Sequence, residues 1–355
     1  MGSLLTYSGV TTKVKAMRSR LLTDEDYREL ASFKSVPECA AFLRRHEGYA
    51  DLLDAAGDMP LHRNDLENLL TYSLYRDYYK IYKFCDMKLR KFLGIYFIRY
   101  EVALLKTCLR AIFGHKDLFF DPSLLMEFFS RHSFLDMEAL SKVSTIQELK
   151  DCLKDTPYSA VFARLDPSQA KLLDYENQLD LYCYKQLWMG LQKYTRKGEQ
   201  KLISASFGSS MDLMNIQWIY RSKKYYRLAG PVIYSILIPV KYKLKPEQIK
   251  KLVDAESMEE FSAVLKTTPY AIVEGEFKER GMTLEDSSRA IEDKLHLAAG
   301  RKDPYSIATI ISYLYFKGEE IRKLVTAIEG VRYGLDSNTI YRYIMNLKGT
   351  GGTVS

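Results

Sequence analysis

The chain has 355 residues, 47% hydrophobic and 27% charged, which is enough apolar material for a sizeable core and too much for a disordered chain. Its 52 Lys and Arg against 45 Asp and Glu leave a net charge of +7, but the cations are dispersed among the acids instead of forming a stripe, which argues against a nucleic-acid-binding module. No apolar run approaches the roughly 20 residues that span a bilayer, the first residues lack the organisation of a signal peptide, and five scattered cysteines (Cys39, Cys85, Cys108, Cys152, Cys183) make no CxxC pair and read as buried free thiols.

From the N-terminus onward, the sequence states one helical pattern three times. The first copy opens with a short helix at Leu22-Thr23-Asp24-Glu25, passes through Ser35-Val36-Pro37-Glu38 to a second short helix at Phe42-Leu43, and reaches Tyr49. Ser35 with Glu38 is an S/T-x-x-E box. The hydroxyl accepts from an orphan amide of the first turn, and the carboxylate reaches back to the cap amide. A long helix comes next: Leu66, Leu69, Leu70, Leu74, Tyr78, Ile81, Cys85, Leu89 and Phe92 recur with a 3.6-residue period. The copy ends on a helix carrying Glu101-Val102, Leu105-Lys106 and Arg110.

The second copy repeats this with Leu135-Asp136, Thr145 and Glu148, Leu153, Tyr158, a long helix from Leu172 to Tyr194, and Asp212 to Arg221. The Val- and Ile-rich run after Pro231 reads as a short helix from its place in the repeat. The third copy has Leu244-Lys245-Pro246-Glu247, Ser257 and Glu260, Leu265, Tyr270, a shorter helix from Leu284 to Leu297, and Glu320 to Glu329. Two copies share Thr-Pro-Tyr (Thr156 to Tyr158, Thr268 to Tyr270), where the Pro ends a helix and the aromatic covers its end. The spacing of the acids and that of the tyrosines agree on a repeat of one third of the chain. The expected architecture is all-α with helical repeats at 1–115, 116–226 and 227–348, and a Gly- and Thr-rich tail, 349–355, that frays.

The chemistry-bearing motifs are absent. There is no G-x-x-x-x-G-K-[ST], G-x-G-x-x-G or G-x-S-x-G, and the five histidines (His46, His62, His115, His132, His296) form no metal-ligand spacing. No catalytic residue, metal site or cofactor is therefore expected. Glu101, Asp212 and Glu320 are acids set on apolar helices. Each must be paired across to another helix or neutralised. Nine residues turn a helix through about 900°, so Glu101 and Arg110 cannot meet on one helix, nor can Asp212 and Arg221. Recurrence in all three copies favours a fold-defining tie between helices over an ion-binding or proton-relay acid. Asp212 could alternatively be a first-turn acid following Ser209.

These residues carry a family resemblance. Tyr7 with Lys13-Val14-Lys15-Ala16-Met17-Arg18-Ser19-Arg20-Leu21-Leu22 resembles the start of the C subunit of archaeal and bacterial V/A-type rotary ATPases, related to the d subunit of eukaryotic vacuolar ATPases. Glu101-Val102 with Leu105-Lys106 and Arg110 is similar to that family's Glu-x-x-Asn-Leu-x-x-x-x-Arg motif, and Asp212-x-x-Asn215-Ile216 with Arg221 resembles a second copy. The sequence departs from the pattern at Leu104, in place of Asn, and at Glu329, in place of Arg. The resemblance implies three similar helical domains arranged as a funnel around a central cavity. It implies a non-catalytic rotor subunit at the cytoplasmic face, joining the central-stalk shaft to the membrane proteolipid ring. Torque would pass between ATP turnover and H⁺ or Na⁺ transport, with membrane contact only through the complex. The alternative is a helical-repeat adaptor or scaffold of an unrelated assembly.

Overall fold

The computed structural model describes residues 2–57, 61–116, 122–240, 242–274 and 283–346. Among them there are helices and turns and no strand, so the fold is all-α, as the 3.6-residue stripes predict. The tail 349–355 lies outside the described residues. The chain divides into two compact units: Met1–Cys85 with Gly275–Ser355, and Asp86–Glu274.

The first unit holds α1 (Gly2–Arg18), α2 (Asp24–Ser32), α3 (Val36–Arg45), α4 (Ala50–Ala55), α5 (Arg63–Lys83), α16 (Leu284–Lys302), α17 (Ile307–Arg332) and α18 (Ser337–Ile344). The spine is α17, which packs against α1, α2, α3, α5, α16 and α18. Its first half buries Ile307, Ala308, Ile310, Ile311, Tyr313 and Leu314, almost all round, as a core helix must. On α1, Tyr7, Val10, Val14 and Met17 form one buried stripe, and Thr11 Oγ1 donates to the Pro304 carbonyl at 3.0 Å. Helix α16 runs on to Lys302, beyond the apolar pattern that ends at Leu297. Arg301 and Lys302 in its last turn suit the negative end of the helix dipole.

The second unit holds α6 (Met87–Gly114), α7 (Pro122–His132), α8 (Met137–Leu140), α9 (Ile146–Cys152), α10 (Ser159–Phe162), α11 (Leu172–Tyr194), α12 (Lys197–Arg221), α13 (Gly230–Ile236), α14 (Pro246–Asp254) and α15 (Met258–Lys266). The run after Pro231 is helical, as α13. Helices α6 and α11 pack antiparallel, with Lys106 on Asp180 at 2.6 Å, Arg110 on Glu176 at 2.7 Å, and Ile95 against the bare face of Gly190.

Ser35, Thr145 and Ser257 stand at the N-caps of α3, α9 and α15, accepting from the amides of Glu38, Glu148 and Glu260 at 3.4, 3.2 and 3.1 Å. The return half of the box differs between copies. Glu148 accepts from the Thr145 amide at 3.2 Å and the Ser144 amide at 2.7 Å. Glu38 and Glu260 instead accept from the residue before the cap, Lys34 at 2.9 Å and Glu256 at 2.7 Å. That amide is equally without a helical partner, and a glutamate is long enough to choose it. Backbone bonding holds the Glu38 and Glu148 carboxyls below the usual range.

Each acid-bearing helix turns into a left-handed residue: His115 (φ 48°), Arg227 (φ 49°) and Gly334 (φ 66°). His115 follows Glu101 by fourteen residues and Gly334 follows Glu320 by fourteen, but Arg227 follows Asp212 by fifteen. The extra residue is taken up in a π-helical turn, Ser222–Tyr226, which accommodates an insertion without displacing the residues beyond it.

Candidate functional site

The three repeated acids are buried in the middles of the helices that end each copy. Glu101 on α6, Asp212 on α12 and Glu320 on α17 are 5%, 0% and 3% exposed. Asp212 is therefore no first-turn acid: α12 begins fifteen residues earlier, at Lys197, because the Ser- and Gly-containing stretch before it is helical.

Each acid is met by the tyrosine of the next copy. Tyr158 donates its phenolic hydrogen to Glu101 Oε2 at 2.7 Å, and Tyr270 donates to Asp212 Oδ2 at 2.8 Å. The third acid returns to the first copy: Tyr49 donates to Glu320 Oε1 at 2.6 Å. Each acid also accepts from the loop that opens the module of that tyrosine. Leu22 N–H reaches Glu320 Oε2 at 2.6 Å, while Lys243 and Leu244 N–H reach Asp212 at 2.7 and 2.9 Å. In the remaining tie Glu101 accepts from the Phe134 amide and from Ser133 Oγ, and that same oxygen accepts from Leu135 N–H at 3.0 Å. A buried carboxylate is thus saturated by one phenol and by backbone or hydroxyl donors.

The Thr-Pro-Tyr segments aim the phenols. Thr156 Oγ1 donates to the Leu153 carbonyl at 2.8 Å and accepts from Tyr158 N–H at 3.3 Å. Thr268 does the same with Leu265 at 2.7 Å and Tyr270 at 3.1 Å. In the first copy, which lacks this motif, the Tyr49 amide donates to the His46 carbonyl at 2.9 Å. Burial, then the adjoining carboxylate, pushes the phenols of Tyr49, Tyr158 and Tyr270 up, so they remain donors. Burial also pushes Glu101 above the ordinary carboxylate range, against its bonds from Ser133, Tyr158 and Phe134.

The tie to the first copy differs from the other two. Lys317, 2% exposed, places its ammonium 2.8 Å from Glu320, 2.7 Å from Tyr49 Oη, and 4.0 Å from the centroid of the Tyr49 ring. The corresponding residues three before the other acids are Ile98 and Ser209. The second copy has its own addition. Asn215 donates to the Ile238 carbonyl at 3.1 Å and accepts from the Ile238 amide at 2.8 Å, two bonds that Leu104 cannot make.

The basic residues nine positions after the acids lie elsewhere. Arg110 is exposed and pairs with Glu176 on α11. Glu329 takes the same place in the third copy and pairs with Arg63 at the start of α5. The signs are exchanged, but both pairs join the end of one copy to the first long helix of the next. Arg221 is exposed at the end of α12, beside a cleft that includes Arg110 and Glu176. Ser133 and Lys317 were not among the expected ties: one is a loop serine, the other a lysine on an apolar stripe, visible in sequence only as an unexplained cation. Among the described residues no cluster of His, Cys, Asp or Glu could hold a metal ion, and no described helix is long and apolar enough to cross a membrane.

Similarity to known proteins extends over the same span. A family profile described as ATP synthase (C/AC39) subunit matches residues 10–343. The chain is 27% identical over 343 residues to the A-type ATP synthase C subunit of Methanosarcina acetivorans, covering 94% of this chain and 91% of that one. It is 24% identical over 349 residues to that of Thermococcus kodakarensis, with 95% and 90% covered. For the protein of Pyrococcus horikoshii the identity is 27% over 341 residues, with 90% and 84% covered. The profile takes in all three acids and all three tyrosines, and the chain therefore belongs to the ATP synthase (C/AC39) subunit family.

Proposed function

We propose that this chain is the non-catalytic rotor adaptor of an A/V-type ATPase, a socket between the central-stalk shaft and the membrane proteolipid ring at the cytoplasmic face. It takes no cofactor and binds no nucleic acid, and its three helical repeats surround the cavity that receives the shaft. It reaches the membrane only through the complex. The observation that carries this reading is the order of the buried ties: each copy is bonded to the next, and the last returns to the first. A part that transmits torque benefits from having no loosely held end, and close-packed helices deform little under load. Because the contacts must persist through rotation, the interfaces with shaft and ring are of the large, lasting kind.

The test is removal of the subunit in the native membrane. The chain should co-purify with the ATPase. Its deletion should abolish ATP-driven ion pumping while the released head still hydrolyses ATP. Pumping that persists without the chain would overturn the proposal.

A further inference from the structure

The seam between α6 and α11 carries charge pairs along one half and no acid of its own along the other. Lys106 faces Asp180 and Arg110 faces Glu176, so four residues forward on α6 match four residues back on α11. Carrying that register from Lys106 back to Arg99 brings α11 to Leu187, with Cys183 and Tyr184 one turn before it. Ile95 against Gly190 fits the same alignment. There is no acid on α11 after Asp180 and none on α6 before Glu101. That end of the pair instead carries Lys88, Arg90, Lys91, Arg99, Lys185 and Lys193.

Arg99 is the residue this arrangement leaves unbalanced. It is half-buried, with its guanidinium carbon over the Tyr96 ring at 5.3 Å from the centroid. The other groups that act on it are the phenols of Tyr184 and Tyr100 and the Cys183 thiol. Among the described residues no carboxylate pairs with it. Burial works against its charge, and a neutral phenol is no counter-ion. A guanidinium held partly out of water thus has, among the described residues, no bidentate carboxylate to balance it.

We propose that Arg99 and the acid-free end of the α6–α11 pair form a docking point for an acidic segment of a protein partner, whose carboxylate completes the missing pair. The charge is complementary: six cations and no acid at this end of the two helices favour an anionic partner and steer its approach. The chemistry also fits, since an Arg among tyrosines is the composition of interface positions that dominate binding. The proposal deepens the rotor reading and rests on it, with the shaft and the ring as the protein partners to be examined.

The experiment measures binding of the wild-type chain, Arg99→Gln and Arg99→Lys to the purified shaft and to the purified proteolipid ring of the same ATPase. Melting of each isolated chain is monitored in parallel. Arg99→Gln should weaken one of the two by about 30-fold or more, as expected for removing one member of a desolvated charge pair. Its melting temperature should be unchanged, and Arg99→Lys should recover part of the affinity. Wild-type affinity of Arg99→Gln for both partners would overturn the proposal and leave the rotor reading standing. A fall in melting temperature with unchanged binding would assign Arg99 to packing on Tyr96 and overturn it as well. Loss of binding to phosphatidylglycerol vesicles alone, with both protein affinities intact, would replace the protein partner by a lipid surface and overturn it. A wild-type chain that binds neither shaft nor ring would remove the rotor reading together with this one.

Discussion

A carboxylate buried in an apolar helix is tolerated only when every lone pair is answered, and the three ties answer them differently. Glu101 depends on Ser133, Tyr158 and the Phe134 amide, all donors, so Glu101→Gln turns an amide donor toward a donor. It should lower unfolding free energy by about 1.5–3 kcal/mol in urea titrations. The pH dependence has a definite sign. A folded-state pKa raised by burial contributes stability that is complete below the unfolded carboxylate pKa and lost as pH rises through the folded value. The difference between wild type and Glu101→Gln should therefore be largest at and below about pH 4, the ordinary carboxylate range, and shrink as pH rises above it. A difference that grows with pH would contradict it. In the tie to the first copy, Lys317→Met strands Glu320 and should destabilise by about 3–5 kcal/mol, whereas Lys317→Met with Glu320→Gln should recover much of that. Equal losses in the single and double variants would show that the ion pair is not what matters there.

Helix starts depended on local chemistry and could be read from the sequence; helix ends and close approaches depended on neighbours. Ser35, Thr145 and Ser257 cap the helices their spacing marks, and Ser257→Ala should lower stability by about 1 kcal/mol in thermal or urea unfolding. The amide that each glutamate accepts from was not legible, because both candidate amides lie within its reach. Gly208 had no meaning in sequence. In the structure a Cβ there would stand 2.4 Å from the Tyr242 ring, in the segment whose amides bond Asp212. Gly208→Ala should push that segment away and destabilise by about 1–3 kcal/mol, with an unchanged urea midpoint refuting it. The π-helical turn Ser222–Tyr226 was equally invisible, since one inserted residue leaves the apolar pattern almost intact.

At the scale of the molecule, the first compact unit is assembled from both ends of the chain. Met1–Cys85 contributes Leu22 and Tyr49, and Gly275–Ser355 contributes Glu320 and Lys317. Neither segment alone can satisfy its buried polar groups or cover its apolar stripes. Expressed separately, residues 1–85 and 275–355 should show little helical circular dichroism and regain it on mixing. A stable, helical 1–85 fragment would contradict the dependence. The same arrangement explains Glu329. It departs from the arginine pattern because its counterpart across the chain, Arg63, departs in the opposite sense.

The all-α class, the caps and the acids that recur along the chain could all be read before any fold was known, because they rest on periodicity and on local spacings. The same reading located Glu101, Asp212 and Glu320 as groups that require partners. Which tyrosine answers which acid, that the last copy bonds the first, and that Arg99 meets no carboxylate among the described residues emerged only once the helices were packed. Those facts depend on groups separated by as many as 298 residues, and hydrogen-bond geometry at that separation is set by packing, which no local pattern encodes.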